Sequence, residues 1–270
     1  MSQYELLSKS KHKKLYFKRP SKYLFAKGES FLPIGFSELP YISSSLPVVF
    51  IKKSDGSFVL ACLLSLQAGN NEFIDIEGKW QFDYTPAFLV TYPFRNIRLE
   101  NPKNKKEDKH ALGFINDSEH LSSEKKEGFI SIFNDDGTIS DPAEKIRTTL
   151  IALEKERLVL NKIILKLERL DVLTSITIEN KSGDKTLIPN IFSIHSEKLK
   201  KLPPKQLKEL LLESTLDLIY YQKFSLANFQ NLLKKSNSAD ISTRDQVLMA
   251  NKVKKAAEIN TLVKNLLVDD

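Results

Sequence analysis

Residues 47–66 read PVVFIKKSDGSFVLACLLSL, and the reading of this stretch decides the fold. Two runs rich in β-branched and aromatic residues, PVVFIKK and SFVLACLLSL, flank Ser54-Asp55-Gly56. Asp-Gly supplies the backbone conformations that a tight two-strand turn demands, so the stretch predicts an antiparallel hairpin. A third strand is expected at NEFIDIE (71–77), after the turn Ala68-Gly69-Asn70, with Glu77-Gly78-Lys79 as the next turn. Together these form an N-terminal antiparallel β-meander running from Val48 to Trp80.

Downstream, Thr85-Pro86 marks the start of a short helix, AFLVTY, which Pro93 stops. Residues 95–98 resume a strand. Residues 101–127 form a charged loop excursion interrupted by the short strand ALGFI, and GFISIF (128–133) is a further strand closed by the turn 134–137. Asp141-Pro142-Ala143-Glu144 then combines an acidic N-cap, Pro at the first helical position and Glu at the third. Beyond it Ile146, Leu150, Leu153, Leu160, Ile164 and Leu167 recur at helical spacing. That predicts one long amphipathic helix of about seven turns ending near Leu170.

Period two returns in SITIEN and KTLIPNIFSI, which flank Lys181-Ser182-Gly183-Asp184 as a second hairpin. Ser196 is the expected cap of a short helix, and KLPPKQLKELLLESTLDLIYYQKFSLANFQNLLKK reads as two or three helical pieces. The fold class is therefore α+β: the meander with its short helix, a long amphipathic helix, a second hairpin and a helical C-terminal part. The expected domain organisation is a basic flexible arm at 1–22, with KLYFKR contributing one edge strand. An α+β domain follows at 23–235, then a linker and a C-terminal helix at 236–270.

Composition excludes more than it identifies. The 270 residues are 41% hydrophobic and 28% charged, with 9 Gly and 11 Pro, which suits a globular chain. The one cysteine, Cys62, lies in the apolar run VLACLL. It rules out an intramolecular disulfide or a multi-cysteine zinc site, and is expected to be a buried, inert thiol. No apolar stretch follows the basic N-terminus, and no run approaches the length of a membrane helix. A cytoplasmic location is the default expectation, with signal-less export left open. The net charge of +7 keeps nucleic acid or an anionic surface open as a partner through Lys198, Lys200, Lys201, Lys205, Lys208 and the C-terminal lysines.

Signatures of chemistry are missing from the sequence. The four histidines, His12, His110, His120 and His195, form no HExxH pair, and Asn134-Asp135-Asp136-Gly137 lacks the acid that a calcium loop requires at its end. GxGxxG, GxxxxGK[ST] and GxSxG do not occur. No metal site or cofactor is expected, and no catalytic residue is assigned. If the chain is an enzyme, its site is dispersed in sequence, with Asp83, Tyr84, Asp117 and His195 as the first candidates. The aromatic stretch IEGKWQFDYTPAFLVTYPF (76–94) is the remaining feature of interest. Phe82, Phe88 and Phe94 are expected in the core, while Trp80, Tyr84 and Tyr92 keep a polar handle and are the candidate ligand-binding residues.

Several spaced motifs occur in a fixed order: LPVVF (46–50), LLSL (63–66), NEFID (71–75), then Gly78, Trp80, Tyr84, Pro86, Ala87 and Phe88, and Tyr92-Pro93-Phe94. FNDDGT, LERLDVLTSITIENKSGDKTLIPNIFSIHSEKLKKL and LDLIYYQKFSLANFQNLL follow. In these motifs residues 23–235 resemble the SapC family, named for an S-layer-associated bacterial protein. The chain departs from the family pattern at Ser65 and at Val90-Thr91, and its Lys-rich N-terminus and residues 244–266 look like additions to it. What the resemblance implies is a non-catalytic binding or accessory role in a surface-layer or cell-envelope pathway, with surface-layer protein or envelope glycan as partner. It carries over no catalytic residues.

Overall fold

The computed structural model describes residues 4–99, 109–179 and 185–237. The expected linker and helix of the C-terminal tail lie outside the described residues from 238 onward, as do the expected hairpin turn 181–184 and residues 101–108 of the charged excursion. The elements, in chain order, combine antiparallel strands with helices, so the fold class is α+β. The chain divides into two compact units, Met1–Tyr23 with Ala87–Glu156, and Leu24–Pro86 with Arg157–Asp270.

In the first unit, β1 (Tyr4–Leu6), β7 (Lys109–Ile115) and β6 (Phe94–Leu99) form one antiparallel sheet in the order β1-β7-β6. A smaller sheet places β2 (Tyr16–Phe17) between β8 (Leu121–Ser122) and β9 (Ile130–Ser131). The segment expected as a basic arm thus contributes β1, the short helix α1 (Lys9–His12) and β2. Apolar side chains give the reason. Phe17 is fully buried and packs edge to face on Phe94 at 5.2 Å, within a core that includes Phe114, Ile132 and Ile146. A Cβ at Gly113 would stand 2.2 Å from Ile97 Cδ1, so a side chain there would force Ile97 to move. GFISIF keeps only two strand residues, Ile130 and Ser131. The Ser131 hydroxyl turns back to donate to Phe133 O at 2.6 Å.

In the second unit the hairpin of 47–66 is present as β4 (Val48–Lys52) and β5 (Phe58–Leu63), with register from Val48↔Cys62 to Lys52↔Phe58. Gly56 takes a φ of 86° in the turn, and Asp55 Oδ1 accepts the Ser57 N–H at 2.8 Å. The second hairpin, β10 (Leu173–Glu179) and β11 (Lys185–Ile194), adds to β4, and β3 (Phe31–Pro33) adds to β5. The sheet order is β10-β11-β4-β5-β3.

NEFIDIE does not supply a third strand of this sheet. It keeps a single bridge, Ile74↔Trp80. The physical reason is local competition: Asn71 Oδ1 takes the Phe73 N–H at 3.0 Å, and Asp75 Oδ1 takes those of Glu77 and Lys79 at 2.9 and 2.8 Å. Those donors are turned into the loop and away from a ladder.

The long helix α4 spans Asp141–Arg169, 29 residues, with its first 16 in the first unit and the rest in the second. Asp141 is already helical, so the helix begins one residue earlier than an N-cap role for this acid would place it. The short helix α3 is Ala87–Val90, within the expected range. After β11, α5 (Ser196–Lys200), α6 (Pro204–Leu212), α7 (Thr215–Ser225) and α8 (Phe229–Asn237) realise the expected helical part. The cap of α5 is His195, not Ser196: its ring accepts the Lys198 N–H at 3.4 Å. Helix α7 joins the sheet through buried polar side chains. Gln222 accepts the Ile194 N–H at 3.3 Å and donates to Val48 O at 3.1 Å, while Ser225 Oγ accepts the Val48 N–H at 2.8 Å.

Candidate functional site

Tyr84, one of the aromatic residues that the sequence singled out, is held by a carboxylate that it did not. Glu38 ends the 3₁₀ turn Phe36–Glu38 and leads into α2 (Leu39–Ile42), whose Pro40 near the start suits a first helical turn. Its carboxylate is 3% exposed and accepts the Gly35 N–H at Oε2 (2.7 Å) and the Tyr84 hydroxyl at Oε1 (3.0 Å). This is one half of a capping box, since Gly35 has no side chain to return a second bond. Such charge-assisted bonds are the strong ones, and here they fix a buried acid to a partly exposed phenol.

Tyr41 of α2 lies against Tyr84 with ring centroids 5.0 Å apart and planes 10° from parallel. It is 59% exposed, so the outer ring of the stack meets solvent. Trp80 stands next to this stack: its indole Nε1 donates to Tyr84 O at 2.8 Å. Its ring continues into Phe82 at 5.7 Å, and Phe82 into buried Phe73 at 4.8 Å. Phe82 and Trp80 are half-buried, and the Lys235 ammonium lies 5.1 Å from the Phe73 ring. Lys27 fixes the loop from beneath, donating to Asn71 O at 2.9 Å and to Ile74 O. Asn71, fully buried, donates to Ala26 O at 3.1 Å.

Of the three candidate ligand-binding residues, Trp80 and Tyr84 are thus joined in the second unit. Tyr92 belongs to the first unit, where its ring meets His120 edge to face at 5.5 Å. Burial lowers the His120 imidazole below its ordinary pKa, Lys18 adds to that and Glu119 opposes it. Phe94 is core as expected. Phe82 and Phe88 are only half-buried, the latter beneath the Arg95 guanidinium at 4.2 Å.

Of the residues considered for a dispersed site, Asp83 and His195 lie in the same unit as Tyr84, and Asp117 lies in the other. Asp83 and Asp117 are exposed and belong to different units, and His195 caps α5. Cys62 is buried, and desolvation, with the Glu38 charge adding to it, pushes its thiol far above the ordinary range. That makes it a poor nucleophile. Among the described residues no group of His, Cys, Asp and Glu is arranged to hold a metal ion, and no helix is long and apolar enough to cross a membrane. Of the lysines considered for polyanions, Lys198 pairs with Asp171 at 2.6 Å and Lys200 with Glu197 at 2.9 Å. Lys201, Lys205 and Lys208 are exposed.

Sequence reasoning does not find Glu38, Tyr41 or Lys27. For Glu38 a signal exists: Gly35-x-x-Glu38 followed by Leu-Pro has the spacing of a capped helix start. The bonds of Lys27 to residues 44 and 47 positions away leave no such local mark.

No curated protein and no solved structure gives a significant match to this chain. The SapC family model matches residues 7–232, more than four-fifths of the chain and the region that holds both the hairpin sheet and the Trp80–Tyr84 corner. The chain belongs to the SapC family.

Proposed function

We propose that this chain is a non-catalytic binding or accessory protein of a bacterial surface-layer or cell-envelope pathway, and that it recognises its partner with the aromatic corner of Tyr41, Trp80, Phe82 and Tyr84. The observation that carries the reading is the stacked pair of Tyr41 and Tyr84, open on one side and held on the other by buried Glu38. A rigid aromatic surface costs little conformational entropy on binding, which is why Tyr and Trp dominate recognition hot spots. Family membership supports the choice of pathway, by analogy from the family's name. Tyr92 is a weaker contributor, because its ring packs on His120.

Trp80 is the only tryptophan, so its fluorescence reports on this corner directly. The full chain is titrated with purified surface-layer protein and with envelope glycan, following Trp80 emission and heat. Saturable binding to either is expected, weakened about tenfold by Tyr41→Ala, the effect of losing one hot-spot aromatic. Absence of binding to both preparations sinks the reading.

A further inference from the structure

Strand β10 (Leu173–Glu179) ends the order β10-β11-β4-β5-β3, so one side of it is bonded to β11 and, among the described residues, no strand pairs with the other. The direction of its backbone groups follows from a single bond. His195 N donates to Val172 O at 2.7 Å, one step before the pair Leu173↔Ile194. Along an antiparallel ladder, pairs that exchange hydrogen bonds alternate with pairs that do not. Val172 and Thr174 therefore turn their polar backbone groups to β11, while Leu173 and Ser175 turn theirs outward and Thr177 continues the alternation. The register slips between Ser175↔Phe192 and Thr177↔Leu187, and the longer side of the slip, with Pro189 and Asn190, belongs to β11. β10 thus keeps a regular outward row of donors and acceptors.

Sheet edges are ordinarily guarded against other chains by shortness, proline or cations. The other edges of this protein are guarded in these ways. β1 and β3 have three residues each, and β3 ends in Pro33. β8 and β9 have two residues each, and β6 carries Arg95 and Arg98. β10 reads LTSITIE, seven residues without Pro, Lys or Arg. What satisfies such an edge is a further extended strand, and the charges suit a second β10. An antiparallel pair centred on Ile176 sets Ser175 opposite Thr177, and Leu173 opposite Glu179 of the second copy, so outward-facing residues meet outward-facing residues. Glu179 of the second copy then comes to the end of β10 where Lys198 lies 2.6 Å from Asp171. Centring on Ser175 would instead oppose Asp171 to Glu179, like charge to like, which disfavours that register.

We propose that β10 is a homodimer interface: a second copy of this chain adds its own β10 antiparallel to the open edge, about a two-fold axis at Ile176, and the five-stranded sheet continues across both copies. This surface is separate from the aromatic corner and does not depend on the binding role given to it.

The test is the oligomeric state of the full chain, by sedimentation over a concentration series, for wild type, Ser175→Pro and Ser175→Lys. The Ser175 N–H points away from β11, so proline there removes no bond of the hairpin, and lysine is a natural edge guard. Wild type is expected to form a reversible dimer. Both variants are expected to dimerise about tenfold or more weakly, because each lost contact occurs twice across the two-fold axis. Ile176→Cys is expected to cross-link to its counterpart under mild oxidation, since the pair at the axis is of the close, unbonded kind, while buried Cys62 contributes no bridge. Should a variant fail to fold, amide exchange of wild type decides, with Leu173 and Ser175 gaining protection as concentration rises. A wild type that stays monomeric overturns the inference, as does a dimer that neither Ser175 variant weakens or that leaves those two amides unprotected. A dimer in which Ile176→Cys does not cross-link overturns the register.

Discussion

The Tyr84 hydroxyl donates to Glu38 Oε1 across 3.0 Å, joining a loop residue to a carboxylate 46 positions earlier that is almost fully buried. The bond couples the exposed aromatic corner to the interior of its unit. Tyr84→Phe removes the donor and leaves Glu38 buried with one bond fewer. A loss of about 1–3 kcal/mol in unfolding free energy is expected, the cost of stripping a hydrogen bond from a charged buried group. Urea denaturation followed by Trp80 emission measures it, and an unchanged midpoint would show that the bond carries no stability.

Gln222 stitches α7 to two strands at once, accepting from Ile194 N and donating to Val48 O. Gln222→Leu fits the space but leaves both backbone groups without that partner in a buried setting. The unfolding free energy should fall by about 2 kcal/mol or more, at about 1–3 for each stranded group. Amide exchange at Ile194 should quicken with it, whereas protection equal to wild type would refute the assignment.

Thr215 is the opposite case. It is fully buried, and its Oγ1 has no hydrogen-bond partner among the described residues. Thr215→Val keeps the shape and removes the stranded hydroxyl, so stability should rise by up to about 1 kcal/mol, at the low end of the penalty for an unmade bond. A lower melting temperature would contradict this.

His120 makes stability pH-dependent. Burial depresses its imidazole below the ordinary 6.5, with Lys18 acting the same way and Glu119 against. Between the folded value and 6.5 the unfolded chain binds more protons than the folded one, so stability falls as pH drops through that window. Above 6.5 the contribution is fully present. Melting curves of wild type and His120→Gln should therefore diverge in slope between about pH 5 and pH 7. Parallel curves would remove His120 as the cause.

Cys62 should behave as a core residue. Burial and the nearby Glu38 charge hold its thiol protonated. A disulfide reagent is expected to leave the native protein unmodified and to titrate one thiol in denaturant. Rapid labelling of native protein would place the thiol within reach of solvent instead.

Much of the fold is legible in the sequence because it is local. Ser54-Asp55-Gly56 marks the hairpin turn, and the stripe from Ile146 to Leu167 marks α4 over 29 residues. Both are periods or turn chemistries written within a few neighbours. NEFIDIE shows where local reading fails. Its residue types suit a strand, yet Asn71 and Asp75 draw the backbone into side-chain-capped turns. Likewise Ser196 has the better cap chemistry, but His195 sits where its ring can accept the bond.

By itself, then, the sequence determined the two hairpins, the long helix, the burial of Cys62 and the family. Only the tertiary structure decided that β11 and β3 flank the first hairpin, that Glu38 lies beneath Tyr84, and that Gln222 spans 174 positions to Val48. It also separated Tyr92 from Trp80 and Tyr84 into another unit. The reason is physical: turn and helix preferences are set by neighbouring residues, whereas strand order and buried polar partners are chosen by packing among segments far apart in the chain.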